Sequence, residues 1–103
     1  MTSTLLSDNF LKNVRTSARI LEAVNHRFRK RIIDQIEDYG SLNPEALSRL
    51  LNVKSSLVSQ HLDILRREGI VQYHIEGKQF FYSLNYTKIE KINNAIHGLA
   101  EDY

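Results

Sequence analysis

Cysteine is missing altogether from this chain of 103 residues, which excludes disulfides, thiolate metal sites and a cysteine nucleophile, and leaves the redox compartment open. Only one proline and four glycines interrupt it. With 42% hydrophobic residues, that composition is of a folded chain rather than a disordered one, and the length fits one domain spanning 1–103. Long apolar runs are lacking too: Met1 to Leu11 has no basic leader and no stretch long enough for a signal sequence or a membrane span, so a cytoplasmic location with no membrane partner is the expectation. Neither sign of charge dominates. Fourteen Lys and Arg against twelve Asp and Glu leave +2, mildly suited to a polyanion. No nucleophile paired with a base, no carboxylate pair and no phosphate-cradling glycine loop is legible, so an enzyme is not expected.

What is present is periodicity. Phe10, Leu11, Val14, Ala18, Leu21 and Val24 recur at helical steps between Asp8 and Val24. Phe28, Ile32, Ile33 and Ile36 form a second such set, opened by Asn25 or His26 as a cap and closed by Gly40. Asn43 and Pro44 read as N-cap and first residue of a third helix that buries Ala46, Leu47, Leu50 and Leu51 and ends near Asn52. A fourth begins near Ser55, buries Val58, Leu62 and Leu65, and stops at Gly69. Val71, Tyr73 and Ile75 then alternate with polar residues, Gly77-Lys78 interrupts, and Phe80 to Leu84 resumes a β-rich run, which predicts a two-stranded hairpin. Thr87 and Glu90 match a capping box for a fifth helix carrying Ile89, Ile92, Ile96 and Leu99. The predicted fold is mainly α, a winged helix-turn-helix of five helices with the hairpin between the fourth and fifth.

The segment Ala46 to Val71, with Val58-Ser59 followed by His61-Leu62, then Leu65-Arg66 and Glu68-Gly69-Ile70-Val71, runs into Glu76-Gly77-Lys78 and Tyr82-Ser83-Leu84. With Arg29 and Arg31-Ile32-Ile33 upstream, it resembles the DNA-binding segment of the ArsR/SmtB family over about Val24 to Leu84. That resemblance implies a homodimeric transcriptional regulator, usually a repressor, on double-stranded operator DNA. Many members sense metals, and here the resemblance departs. The family's thiolate site needs Cys. The positions matching its other site, on the last helix, are Asn85, Thr87, Gly98 and Glu101, of which only Glu101 suits a cation, with His97 one residue beside an expected ligand. No metal or cofactor is therefore assigned, and the effector is left unidentified. A metal-gated sensor using His97 and Glu101, and a winged-helix protein-interaction module built on the basic run Arg27, Arg29, Lys30, Arg31 and the aromatic wing, stand as alternatives; a solvated helix face is the other reading of that run.

At 100° per residue, the polar face of the fourth helix holds Ser56, Gln60, Asp63 and Arg67, flanked by Ser59 and Arg66. Gln60 suits a bidentate bond to adenine, and Ser55, Ser56 and Ser59 suit close approach to base edges, with helix capping as the other reading of Ser55 and Ser56. His61 joins the DNA-facing set, with packing against the third helix as its alternative. Asp63, repelled by phosphate, is read as an ion pair with Arg67 rather than as an acceptor from cytosine. Lys78 at the wing tip is placed on a backbone phosphate, as His74 or Gln79 could be, whereas Tyr73, Phe80, Phe81 and Tyr82 are read as the packed face of the hairpin. The terminal helices, about 8–24 and 87–101, carry more apolar residues than their own packing needs. Phe10, Val14, Ile92, Ile96 and Leu99, with Leu5 and Leu6 upstream, are assigned to a dimer interface. A two-fold dimer implies a palindromic site with half-site centres about 10 bp, or a small multiple, apart.

Overall fold

Several of the helix ends are set by a local chemical feature. In this computed structural model, which describes residues 8–101 and the side chains of 11–95 and of His97, the order is α1 (Asp8–Val24), α2 (Arg27–Tyr39), α3 (Pro44–Leu51), α4 (Ser55–Arg67), β1 (Val71–Glu76), β2 (Gln79–Leu84) and α5 (Tyr86–Glu101). His26 caps α2, its Nδ1 accepting from the Phe28 N–H at 3.1 Å. Gly40 ends that helix at φ +87°, where a side chain would be strained. Asn43 caps α3 by accepting from the Ala46 N–H at 2.8 Å, and Pro44 follows at a position that needs no N–H donor. Asn52 ends α3 in the left-handed region at φ 56°, and the Ser48 hydroxyl donates to the Val53 carbonyl across the turn.

Neither the alternative capping role of Ser55 and Ser56 nor the expected cap at Thr87 is used. Lys54 occupies the N-cap of α4 with no side-chain bond, so Ser55 and Ser56 are exposed residues of its first turn rather than its caps. Thr87 lies inside α5, and a first-turn amide of that helix, that of Lys88, is met by Asn85 Oδ1 at 3.1 Å. Asn85 wins because its own N–H is already fixed to the Ile70 carbonyl at 2.9 Å, which holds the side chain at the helix entrance.

The core sits where α2, α3 and α4 converge: Ile32, Ile36, Leu47, Val58, Leu62 and Leu65 are all fully buried. Val71 and Leu84, paired at the base of the hairpin, join it with Ile20 and Ile70. Beyond that base the hairpin leaves the body, and from Gln72 to Phe80 every residue is exposed. Gly77, with φ +63°, takes the first of the two loop positions, as a type II′ turn requires. Leu42, in the stretch between α2 and α3, forms a short antiparallel bridge to Tyr82 through two bonds of 3.0 and 2.8 Å and ties the wing to the helices. An isolated bridge has no period, so the sequence carried no signal for it.

The first and third helices correct the expected burial. α1 buries Ser17, Ile20 and Ala23, while Leu11, Ala18 and Leu21 are exposed and Val14 is half-buried. The exposed set lies about 40° to 120° round the axis from Ser17, so α1 carries two adjoining apolar sectors and only one faces its own core. In α3, Leu50 is 42% exposed instead of packing with Leu47 and Leu51.

Candidate nucleic-acid interface

α3 and α4 form the helix-turn-helix, and burial of Val58, Leu62 and Leu65 fixes which way α4 faces. Relative to Val58, Ser55, Ser56, Ser59, Gln60, Asp63, Arg66 and Arg67 fall between about 60° and 200° round the axis, a single continuous sector. Ser55, Ser56, Ser59, Gln60 and Arg67 are all exposed there, as is Lys78 at the turn of the wing. The structure thus brings together on α4 every DNA-facing candidate from that helix except His61.

His61 lies on the opposite flank, half-buried. Its ring packs on His26 and Phe28, each with centroids 4.9 Å away, at the start of α2. Its Nδ1 is buried without a hydrogen-bond partner. Burial, then the neighbouring His26 and Arg29, hold its imidazole below the ordinary histidine value. Periodicity placed His61 beside the buried face, but only the tertiary fold names the element on that side.

Asp63 behaves as expected and then further. Its Oδ2 lies 3.2 Å from Arg67 Nε, and its Oδ1 accepts from Arg66 Nη2 at 2.7 Å, so one carboxylate holds two adjacent arginines. The Arg66 bond holds the Asp63 carboxyl below the usual carboxylate range. Arg66, which the sequence places only at the flank of the polar face, shares this carboxylate, and its i,i+3 spacing from Asp63 was the available signal. The phenols of Tyr73 and Tyr82 lie within electrostatic reach of Arg66, which links the end of α4 to the wing. Burial pushes the Tyr82 phenol up.

The wing aromatics divide between its faces. Tyr73 packs on Phe80 and Tyr82, with centroids 5.2 and 5.8 Å away, while Phe81 stacks on His74 on the other face. Tyr73 and Phe80 remain 46% and 43% exposed, so the expected packed face is packed mainly within itself. His74 Nε2 lies 3.2 Å from Glu76, and Gln79 Oε1 accepts from the Asn43 amide at 3.0 Å, which anchors the wing to the start of α3. In the basic run, Arg27, Lys30 and Arg31 are exposed, whereas the half-buried Arg29 donates to the Ala23 carbonyl and joins α2 to α1.

Of the residues matched to the family's last-helix metal site, Asn85 and Thr87 have described side chains. Asn85 Oδ1 is committed to capping α5, and Thr87 offers a neutral hydroxyl. Among the described residues no three His, Asp or Glu side chains converge, and the Glu101 side chain lies outside them. Of the expected interface set, Phe10, Ile96 and Leu99 also lie outside the described side chains. Val14 and Ile92 are half-buried, and Ile92 borders an open groove of about 230 Å³ between α1 and α5, lined by Ile20, Leu21, Val24, Ile33, Ile70, Ile89 and Asn93. Among the described residues no helix is long and apolar enough to cross a membrane.

A helix-turn-helix whose second helix turns a polar face outward, followed by an antiparallel hairpin, defines a winged-helix DNA-binding fold. The family model described as "Bacterial regulatory protein, arsR family" matches residues 28–73. The transcriptional activator HlyU of Vibrio cholerae is 32% identical over 85% of this chain and 81% of its own length; its solved structure superposes with a TM-score of 0.70, covering 85% of this chain and 95% of that one. The transcriptional repressor PagR of Bacillus anthracis is 29% identical over 73% of this chain and 75% of its own length. A fold likeness at 20% identity, with a TM-score of 0.76 over 97% of this chain and 92% of the other, is to a homodimeric winged helix-turn-helix domain, Mb0332, from Mycobacterium bovis. The chain belongs to the arsR family of bacterial regulatory proteins, which are DNA-binding transcriptional regulators and not enzymes.

Proposed function

We propose that this chain is a homodimeric transcriptional repressor that binds a palindromic operator in the cytoplasm, without the family's metal ligands. The observation that carries the reading is the single exposed sector of α4 bearing Ser55, Ser56, Ser59, Gln60 and Arg67, beside a wing with Lys78 at its tip. Small hydroxyls near the helix start permit close approach to base edges, Gln60 offers a bidentate amide, and Lys78 neutralises a phosphate. His61 stands in this reading as a support of α4 and not as a base contact, because its ring is spent on His26 and Phe28. Repression is favoured over activation by the names of PagR and of SdpR of Bacillus subtilis, both repressors, against HlyU, an activator.

Dimerisation is supported by the second apolar sector of α1 and by the groove between α1 and α5, where Leu21 stays 46% exposed. The occupant proposed for that groove is the same face of a second copy: Ile92 lines the groove, Val14 is half-buried on α1, and Phe10, Ile96 and Leu99 are assigned to the interface from the sequence alone. In one winged-helix domain spanning 1–103 this arrangement sets two copies of α4 about one helical turn, or a small multiple of it, apart along DNA.

Selection of duplexes from a random-sequence pool, followed by titration of the selected duplex at several salt concentrations, tests the reading. Palindromic sequences should emerge, and log K should fall linearly with log salt. No selected sequence, an unpaired half-site, or binding indifferent to salt would overturn it.

A further inference from the structure

Asp63 is the only acidic residue among the thirteen of α4, and it sits in the sector proposed to meet DNA. A carboxylate there is repelled by phosphate, so its presence needs a reason. Both of its oxygens are engaged, Oδ1 at 2.7 Å from Arg66 and Oδ2 at 3.2 Å from Arg67, so the carboxylate's negative charge is shared between two arginines of its own helix. All three side chains are well exposed, at 48%, 42% and 63% for Asp63, Arg66 and Arg67. Exposed pairs of this kind are weak because water and salt screen them, so the fork sets a modest penalty on phosphate contact, one that a complex with base contacts in register can meet and a phosphate-only complex meets poorly.

We propose that Asp63 is a specificity-determining residue of the DNA interface: by holding Arg66 and Arg67 in one fork it denies both guanidiniums to phosphates met in the wrong register. This rests on the DNA-binding reading above. Non-specific binding is nearly all phosphate charge neutralisation, so each cation withheld weakens it fully. A specific complex also draws on base contacts from Gln60 and the serines, and there the fork holds the arginines in position rather than merely subtracting charge. Asp63 thus lowers affinity for arbitrary DNA more than for the operator.

The test compares wild type with Asp63→Asn, which keeps the shape and removes the charge, and with Asp63→Glu, which keeps the charge. Binding is measured to a duplex selected by the wild-type protein and to a scrambled duplex of equal length across a salt series. For Asp63→Asn the scrambled duplex should bind on the order of tenfold tighter, with a salt slope steeper by about 0.9 for each arginine released, up to about 1.8 per protomer, while selected-duplex affinity changes little. Asp63→Glu should restore most of the discrimination. A structural role alone would shift the melting temperature and leave the salt slope untouched. Unchanged scrambled-duplex binding and slope in Asp63→Asn would overturn the inference, as would a loss of tenfold or more on the selected duplex alone, which marks a direct base contact. Should the wild type select no sequence, the DNA-binding reading itself falls, an outcome distinct from either.

Discussion

The rings of His26 and His61 meet with centroids 4.9 Å apart and planes inclined by 44°, so the residue that caps α2 also packs on the helix that carries the DNA-facing sector. Phe28 completes the cluster at 4.9 Å, and Arg29 adds a positive charge beside it. Burial first, then His26 and Arg29, hold the His61 imidazole below its ordinary value. The unfolded chain takes up that proton near pH 6.5, while the folded chain stays neutral to lower pH, so between those values the unfolded state binds more protons. Stability from this group is therefore complete above about pH 6.5 and declines as pH falls below it. Urea midpoints measured from about pH 7.5 down to about pH 5.5 should drop, and drop less in His61→Gln; an equal drop in the variant would assign the sensitivity to other groups.

Leu62 is fully buried at the centre of α4 and packs in the cluster formed with α2 and α3. Leu62→Ala removes its methyl groups and leaves a cavity there, so chemical denaturation should show a loss of about 2 to 5 kcal/mol. A loss below about 1 kcal/mol would mean that the neighbouring side chains collapse into the space.

Gln60 and Lys78 should fail in different ways, because one is assigned to bases and the other to phosphate. Gln60→Ala should cost about 1 to 3 kcal/mol on the selected duplex and relax sequence preference at one position per half-site. Lys78→Ala should weaken binding to every duplex alike and flatten the salt slope by about 1 per protomer. Competition titrations with single-base variants of the selected duplex separate the two patterns; a uniform effect from Gln60→Ala would remove it from base reading.

Leu21 is 46% exposed on the outer sector of α1 and borders the groove shared with α5. Leu21→Asp places a charge on the face assigned to the second copy without disturbing Ile20 or Ala23, which face the core. Sedimentation equilibrium should show a dimer for wild type and a monomer for the variant, with little change in helical content. A variant that remains dimeric would move the interface elsewhere.

The sequence by itself determined what is local. Hydrophobic spacing located five helices; Asn43 starts one and Gly40 ends another where side chain or dihedral favours it, while the choice of His26 over Asn25 as the cap of α2 fell to the folded chain; and Gly77 before Lys78 set the hairpin turn. The buried line Val58, Leu62, Leu65 was legible too, and with it the outward sector of Ser56, Ser59, Gln60 and Arg67, because 100° per residue fixes angles within a helix. Tertiary structure decided what faces what. It split the apolar positions of α1 between a core sector and an exposed one, left Leu50 exposed, and bridged Leu42 to Tyr82 across some forty residues of chain. It also turned His61 towards His26 and gave Asp63 a second arginine. The physical reason is that periodicity reports direction around one axis, whereas a partner depends on which element has been packed in that direction, and only the folded chain supplies it.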